Sequence, residues 1–217
     1  MAWTDQIDIY CERADFSLWS EPLNAVTNLA FLAAAALLWR AQSASRPPAG
    51  MQDRMLAVLI AAIGVASLLF HTLATVWAGL ADTLSILAFA TYFVFVFLVR
   101  AARVRIAPAA AAAGIFAALS YGFPKLLPPG SANGSAGYLP YVAVLIAMIV
   151  YLQRARPASA RVFLGATLLF LASLALRTAD LALCAAFPLG SHFVWHLLNA
   201  WVLYLLAREL SLRISRR

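Results

Sequence analysis

Three histidines are the residues of this chain best suited to hold a metal ion, and the sequence contains no others. His192 and His196 are four residues apart, so on a helix they share one face and can bind a single ion. His71 can supply a third nitrogen from another segment. Three protein ligands leave a fourth position open for water, as in a catalytic zinc site. Imidazole ligands favour zinc over calcium, with iron and manganese left open as alternatives.

Two further polar residues accompany His71. Ser67 precedes it by one helical turn, and Asp82 follows it by eleven residues. Polar side chains within a membrane are costly, and they are functional candidates by default. Asp82 can act as a general base or acid toward a bound water, and Ser67 can face the same point. The alternative is that Ser67 packs between helices and that each histidine is an interface residue.

Long apolar segments must position these side chains. Of the 217 residues, 64% are hydrophobic and only 12% are charged, which excludes an ordinary soluble domain. The apolar residues fall into segments close to the ~20 residues that cross a bilayer as a helix. We therefore predict an all-α, polytopic membrane protein with one domain over residues 1–217, an acidic head at 1–21 and a basic tail at 211–217. Seven transmembrane helices are predicted at about 22–40, 55–75, 79–99, 106–123, 137–153, 160–185 and 190–210.

The arginines predict the orientation of the chain. They flank alternate connections, whereas the second and sixth connections have no Lys or Arg and the fourth has only Lys125. The basic positions are Arg40, Arg46, Arg54, Arg100, Arg103, Arg105, Arg154, Arg156, Arg161, Arg208, Arg213, Arg216 and Arg217. Because positive loops stay in the cytoplasm, the C-terminus is predicted there and the N-terminus outside. The same placement in short loops explains the net charge of +7 without nucleic-acid binding.

This orientation places the unusual polar residues in one leaflet, on the extracytoplasmic side. Ser67 and His71 approach the outer end of the second helix, and Asp82 begins the third. The two last histidines open the seventh helix. Arg177 and Asp180 lie toward the outer end of the sixth helix; they either form an ion pair with each other or support the site.

The head is acidic, with five carboxylates against the single Arg13, so it does not resemble a secretory signal. Its carboxylates either provide external negative charge or bind a hard cation such as calcium. Cys11 in the head and Cys184 near the sixth helix end both face a compartment where disulfides persist. A bridge that fixes the head over the bundle is expected, with two free buried thiols as the alternative.

Four separated patches resemble the alkaline ceramidase family and its bacterial relatives, in the order that the family has them. The first patch is Cys11-Glu12 with the run from Trp19 to Asn28, and the second is Ser67-Leu68-Leu69-Phe70-His71 with Asp82. The third is Arg177-Thr178-Ala179-Asp180 with Cys184, and the fourth is His192-Phe193-Val194-Trp195-His196. Each patch is short, but from the first to the last they span nearly the whole chain.

The resemblance implies a seven-helix hydrolase of a ceramide-like lipid amide, giving a fatty acid and a sphingoid base. It implies zinc held by His71, His192 and His196, with Ser67 and Asp82 in the catalytic shell. It also implies a Cys11–Cys184 disulfide and a bacterial inner-membrane location.

The family's eukaryotic members have a calcium site in the head, and two of its positions correspond to Glu12 and Glu21. The pattern departs where the family's Asp-Trp reads Ile9-Tyr10 and its Asn falls near Ala14. Asp8 and Asp15, one residue away, then become the substitute calcium ligands. The expected partners are a membrane lipid substrate and the bilayer itself.

Three other functions fit the same residues. The first is a hydrolase or transferase acting on another amide- or ester-linked lipid with the same metal core. The second is a seven-helix receptor or channel whose histidines sense protons or a ligand. The third is a haem-binding bundle, although two histidines on adjacent turns of one helix suit a single small ion better.

Overall fold

The computed structural model describes residues 2–214 as a bundle of α-helices, and this part of the chain contains no β-strand. An isolated bridge between Gln6 and Thr75 is its one extended pairing. The helices are α1 (Pro22–Thr27), α2 (Leu29–Ala44), α3 (Met51–Leu73), α4 (Val76–Arg100), α5 (Ile106–Gly122), α6 (Leu139–Ala155), α7 (Pro157–Leu183) and α8 (His192–Glu209). The prediction of an all-helical chain is confirmed.

Each of the seven predicted segments overlaps one of these helical stretches, with α1 and α2 together forming the first. Six stretches are long and apolar enough to cross a membrane: Pro22–Ala44, Met51–Leu73, Val76–Arg100, Ile106–Leu126, Ser131–Ala155 and Pro157–Leu183. The 18-residue α8 is not among them. Its lower apolarity follows from its sequence, which includes two histidines, Asn199 and the pair Arg208-Glu209. A seventh crossing therefore stays a prediction.

The C-terminal segment differs from the predicted tail at 211–217. Helical structure continues past α8 through a π-type turn at Leu210–Ile214, in which Ser211 and Ile214 are buried. These residues are buried because the apolar positions of α8 continue for one turn beyond the charged residues at its end. Residues 215–217, which include Arg216 and Arg217, lie outside the described residues.

A break in the first crossing brings it close to α3. α1 begins at Pro22, where a missing N–H costs no hydrogen bond, and it ends at Thr27; Asn28 then separates it from α2. Gly64 of α3 faces this break. A Cβ at residue 64 would lie 2.9 Å from the Cβ of Phe31, so only glycine permits the approach. The close contact brings the end of α1 to the same level as the C-terminal half of α3.

The head lies across one end of the bundle and is joined to the α3–α4 connection. Ala74 ends α3 in the left-handed conformation, with φ of 48°. Its carbonyl accepts a hydrogen bond of 2.7 Å from the Ile7 amide, and the Val76 amide donates to the Asp5 carbonyl at 3.0 Å. These backbone hydrogen bonds place the head directly above the ends of α3 and α4.

Candidate metal centre

The three histidines meet at the end of the bundle that the head covers. His71 lies in the last turn of α3, and His192 and His196 occupy successive turns at the start of α8. All three are at most 1% exposed. Each offers a ring nitrogen, and these atoms all lie within 4.8 Å of one another. The structure therefore assembles the residue set that the sequence singled out, from two helices that are far apart in sequence.

Hydrogen bonds orient two of the imidazoles. The Nδ1 atom of His71 is 2.6 Å from Oε2 of Glu21. A carboxylate only accepts hydrogen bonds, so Nδ1 carries the proton and Nε2 keeps its lone pair. Nδ1 of His196 is 2.9 Å from Oγ1 of Thr27, whose hydroxyl donates to the Leu23 carbonyl at 2.6 Å. The Thr27 oxygen therefore accepts from Nδ1, and Nε2 of His196 also keeps its lone pair.

Three buried ring nitrogens are left without a hydrogen-bond partner among residues 2–214: Nε2 of His71, Nε2 of His196 and Nδ1 of His192. A buried polar atom with no partner costs free energy comparable to a lost hydrogen bond. Three such atoms on converging side chains fit a metal ion, which would satisfy all of them at once. Orienting contacts of the Glu21–His71 type are typical of metal-bound histidines, because they fix the tautomer and the ring position.

Electrostatics strengthen the contact between Glu21 and His71. Burial raises the pKa of the Glu21 carboxyl, but the His71 hydrogen bond and the charge of Arg13 outweigh it and hold the pKa below its usual range. The Arg13 side chain donates from Nε to Oε1 of Glu21 and from Nη2 to the His71 carbonyl at 3.0 Å. Asn24 donates a further hydrogen bond of 3.0 Å to Oε2 of Glu21. The carboxylate that orients His71 is thus itself held ionised by two neighbours.

Asp82 lies on the wall of a half-open recess of about 340 Å³ beside the histidines. Its Oδ1 atom is buried without a hydrogen bond among the described residues. The buried Ser67 hydroxyl is close enough to interact with this carboxylate, although it does not reach hydrogen-bond geometry. The structure therefore brings both residues to the site where the sequence predicted them.

Asp180 holds the N-terminus of α8 in place. Its Oδ1 accepts hydrogen bonds from the amides of Ser191 at 2.7 Å and His192 at 2.9 Å, and its Oδ2 accepts from the Cys11 amide at 3.0 Å. Gly190 precedes this contact with φ of +63°, and a Cβ at residue 190 would lie 2.2 Å from Oδ1 of Asp180. Asp180 and Arg177 form no ion pair in the described structure, which favours site support over structural pairing for Asp180.

A disulfide joins Cys11 to Cys184, with Cα atoms 5.4 Å apart. It links the head to the residue that follows α7, and the described residues contain no free cysteine. The predicted disulfide is therefore confirmed. Together with the Asp180 contact to the Cys11 amide, it fixes the head over the histidines.

Two of the proposed calcium ligands, Glu12 and Glu21, both contact Asn24, but their oxygens already accept hydrogen bonds from other groups. Both oxygens of Glu12 accept backbone hydrogen bonds, from the Leu23 amide at 2.7 Å and the Asn24 amide at 2.8 Å, and burial raises the Glu12 pKa. Asp8 and Asp15 are exposed.

The oxygens of Glu21 are likewise occupied, by Arg13, His71 and Asn24. Within residues 2–214, the histidine cluster is the one group of three or more His, Cys, Asp or Glu side chains that fits a metal. Glu12 and Glu21 therefore do not fit calcium, because their oxygens already serve amide, imidazole and guanidinium donors.

Sequence reasoning missed four contacts of the site. Tyr10 and Trp195 lie on either side of His192, with ring centroids 3.7 and 5.2 Å away. Arg13 and Thr27 contact the other two histidines. Thr27 lies within the first of the resembling patches, and Tyr10 and Arg13 flank its Cys11-Glu12 pair. The roles of Tyr10, Arg13 and Thr27 required the fold, because each reaches a histidine on α3 or α8, whereas Trp195 lies on the same helix as His192.

An apolar cavity of about 80 Å³ lies deeper in the bundle, between α2, α3, α4, α5, α6, α7 and α8. Tyr138 and Trp195 line both this cavity and the recess that contains Asp82. The two spaces therefore adjoin at these two aromatic side chains. An apolar compartment next to a polar one suits a molecule with a hydrocarbon chain and a polar head.

Comparison with known proteins identifies the family of the chain. The family model described as Ceramidase matches residues 4–213, which is nearly the whole chain. No curated protein sequence matches the chain significantly. The match covers the head, both histidine segments and every helix that contributes to the site. The chain therefore belongs to the ceramidase family.

Proposed function

We propose that this protein is a zinc-dependent amidohydrolase of the membrane, which cleaves the amide bond of a ceramide-like lipid into a fatty acid and a sphingoid base. The observation that carries the proposal is the convergence of three unpartnered imidazole nitrogens beside Asp82 and Ser67. Membership of the ceramidase family supports hydrolysis of an amide bond rather than sensing of protons or binding of haem.

His71, His192 and His196 would hold the zinc ion, since imidazole donors suit it and their ring nitrogens are available. Zinc supplies Lewis-acid activation of water and of an amide carbonyl, which makes hydrolysis accessible at neutral pH. Glu21 and Thr27 maintain the ring orientations of His71 and His196. Burial of the whole cluster beneath the head limits competing ligands from solvent.

Asp82 is the proposed general base and acid. It accepts a proton from the water that attacks the carbonyl carbon, and it returns the proton to the nitrogen as the C–N bond breaks. The products are a carboxylic acid and a free amine, so one water is consumed in each turnover. Ser67, adjacent to Asp82, donates a hydrogen bond to the substrate oxygen on which negative charge develops.

The two adjoining spaces suggest how the lipid lies. The apolar cavity, whose lining is almost entirely carbon, accepts only a few methylene groups of a hydrocarbon chain, and the polar head occupies the recess. The scissile amide would then lie near Tyr138 and Trp195, where the spaces meet. A substrate of this kind reaches the site from the bilayer.

We further propose that α8 is the seventh crossing and that the site faces the extracytoplasmic leaflet of a bacterial inner membrane. Alternation of basic and non-basic connections supports this orientation. The disulfide between the head and the end of α7 supports it as well, because disulfides persist outside the cytoplasm.

The test is hydrolysis of a short-chain ceramide by the purified protein, with bound metal quantified in the same preparation. His71→Ala should lose both zinc and turnover. Asp82→Asn should retain zinc while turnover falls by about 100-fold or more, the usual contribution of a positioned acid–base group. Asp5→Asn, the same chemical change at an exposed head residue, is the matched control and should match wild type. Full activity in a verified metal-free preparation would refute the proposal.

A further inference from the structure

An open groove of about 550 Å³ runs between α4 and α5. Its α4 wall extends from Leu84 to Phe95, and its α5 wall consists of Ala110, Ala113, Gly114 and Ala117. The four residues of α5 are three or four positions apart, so they share one face of the helix. Their small side chains leave the groove wide, since a Cβ at residue 114 would have no neighbour within 4 Å.

The groove has the length and the lining that suit one hydrocarbon chain. From Leu84 to Phe95, α4 rises by about 16 Å at ~1.5 Å per residue. This length is about half of the ~30 Å hydrocarbon core of a bilayer, which is the depth of one leaflet. The lining is apolar except for Thr91 and Tyr92, and the Tyr92 hydroxyl donates to the Gln52 carbonyl at 2.9 Å.

Two arginines lie at the end of the groove that is away from the head. Arg103 has the left-handed φ of 58°, and the next amide, of Val104, donates to the Leu98 carbonyl at 2.9 Å. Leu98 follows Phe95 by three residues, so it continues the groove face of α4. Arg105 immediately precedes α5. The connection therefore folds back over the end of the groove, with an exposed arginine on each side of Val104.

The neighbouring helices provide no carboxylate for these arginines. The sequence contains no Asp or Glu between Asp82 and Asp180, so α5 and α6 have none, and Asp82 lies near the opposite end of α4. Within residues 2–214, the ion pairs include neither Arg103 nor Arg105. Two like charges close together in this way attract an anion from the surroundings.

We propose that this groove binds one anionic phospholipid of the bilayer, with an acyl chain between α4 and α5 and its phosphate group at Arg103 and Arg105. Two independent observations carry the proposal: an apolar groove one leaflet deep, and two unpaired arginines at its end. A zwitterionic lipid has the same shape, but its ammonium group weakens the attraction to the arginines. The groove lies outside the histidine cluster, so this inference does not depend on the proposed reaction.

The head-group part of the proposal is tested with phosphatidylglycerol and phosphatidylcholine that have identical acyl chains. Binding of each lipid to the purified protein in detergent is measured by native mass spectrometry. An arginine near an anionic head group contributes about fivefold in affinity, so wild type should bind phosphatidylglycerol about 10- to 30-fold more tightly than phosphatidylcholine. Arg103→Gln combined with Arg105→Gln should reduce this preference to less than about threefold.

The matched control is Arg40→Gln combined with Arg46→Gln. It removes the same charge from the same end of the bundle, at exposed positions next to or within the α2–α3 connection. The preference for phosphatidylglycerol should change by less than about twofold. An equal loss of preference in the two double variants would overturn the proposal, because it would show a general attraction of the basic end rather than a site at the groove.

The acyl-chain part of the proposal is tested by filling the groove. Gly114→Leu places a side chain in the open space of the groove and should lower phosphatidylglycerol affinity by about tenfold or more, since each displaced methylene group is equivalent to about fourfold. Gly165→Leu is the matched control, because Gly165 is exposed on α7 and its Cβ would also have no neighbour within 4 Å. This control should bind like wild type.

Thermal unfolding of the lipid-free proteins shows whether the variants fold. If Gly114→Leu does not fold, the two arginine double variants decide the outcome. Equal affinity of wild type for the two lipids would overturn the proposal, as would unchanged affinity in folded Gly114→Leu. Glycerol phosphate at millimolar concentration should not displace the bound lipid. Displacement would overturn the proposal as well, because the head group alone would then account for binding.

Discussion

Replacing Glu21 by Gln should weaken the metal site and the fold by two separable routes. The first route is through His71, whose Nδ1 atom loses the carboxylate at 2.6 Å. Loss of such a partner typically lowers metal affinity or activity by about 10- to 100-fold. The expected result is zinc affinity reduced within that range, equivalent to about 1.4 to 2.8 kcal/mol.

The second route is through Arg13. Its side chain is 1% exposed and its partner Glu21 is 3% exposed, so the substitution leaves a buried guanidinium without its counter-charge. Breaking a buried pair on one side costs about 3 to 5 kcal/mol. Two backbone contacts of Arg13, to the carbonyls of Asp15 and His71, remain and place the expected cost at the lower limit, about 3 kcal/mol. For a chain of this length that corresponds to a fall in Tm of roughly 6 to 12 °C.

A double variant separates the two routes. Arg13→Gln combined with Glu21→Gln removes both charges, so much of the lost thermal stability should return. Zinc affinity should stay low, because His71 still lacks its carboxylate. The assays are thermal unfolding in detergent and competition for zinc with a chelator of known affinity. Wild-type zinc affinity in Glu21→Gln would refute the role given to Glu21, and recovery of affinity in the double variant would show that Arg13 alone caused the defect.

Two more predictions follow from the head. Asp180→Asn places an amide donor against the Cys11 backbone amide, which donates to Oδ2 of Asp180 in the wild type. We expect a loss of about 1 to 3 kcal/mol of stability and weaker zinc retention, measured by thermal unfolding and bound-metal analysis. Unchanged values would contradict the role of Asp180 at α8. Added calcium, or a calcium-selective chelator, should change activity by less than about twofold, because amide, imidazole and guanidinium donors occupy the carboxylates of Glu12 and Glu21. A saturable activation by calcium would contradict this prediction.

The residues of the metal centre could be predicted from sequence because membrane segments contain few polar side chains. His71, His192 and His196 stand out in apolar surroundings, and their helical spacing and the charge pattern place them at one end of the bundle. The disulfide between Cys11 and Cys184 could be predicted for a similar reason, since the chain has two cysteines and the topology places both on one side.

The role of Glu21 could not be predicted in the same way. The resemblance implied a calcium ligand at this position, but the structure makes Glu21 the hydrogen-bond partner of His71 and Arg13. A carboxylate can bind a cation, an imidazole or a guanidinium, and which of these it meets depends on how the head folds over α3. The relation between Asp180 and Arg177 likewise depended on the fold. Their helical spacing allows an ion pair, but Asp180 instead accepts hydrogen bonds from the His192 amide at the N-terminus of α8 and from the Cys11 amide of the head.

The sequence by itself determined the class of the protein: long apolar segments require helices in a membrane, and three histidines among them indicate a metal. Only the tertiary structure decided which atoms are available. It left one nitrogen of each histidine without a partner, placed Asp82 and Arg177 in the same recess, and positioned that recess next to an apolar cavity. The physical reason is that sequence spacing fixes neighbours along one helix, whereas these contacts join the head to α1, α3, α4, α7 and α8, whose relative positions depend on packing throughout the bundle.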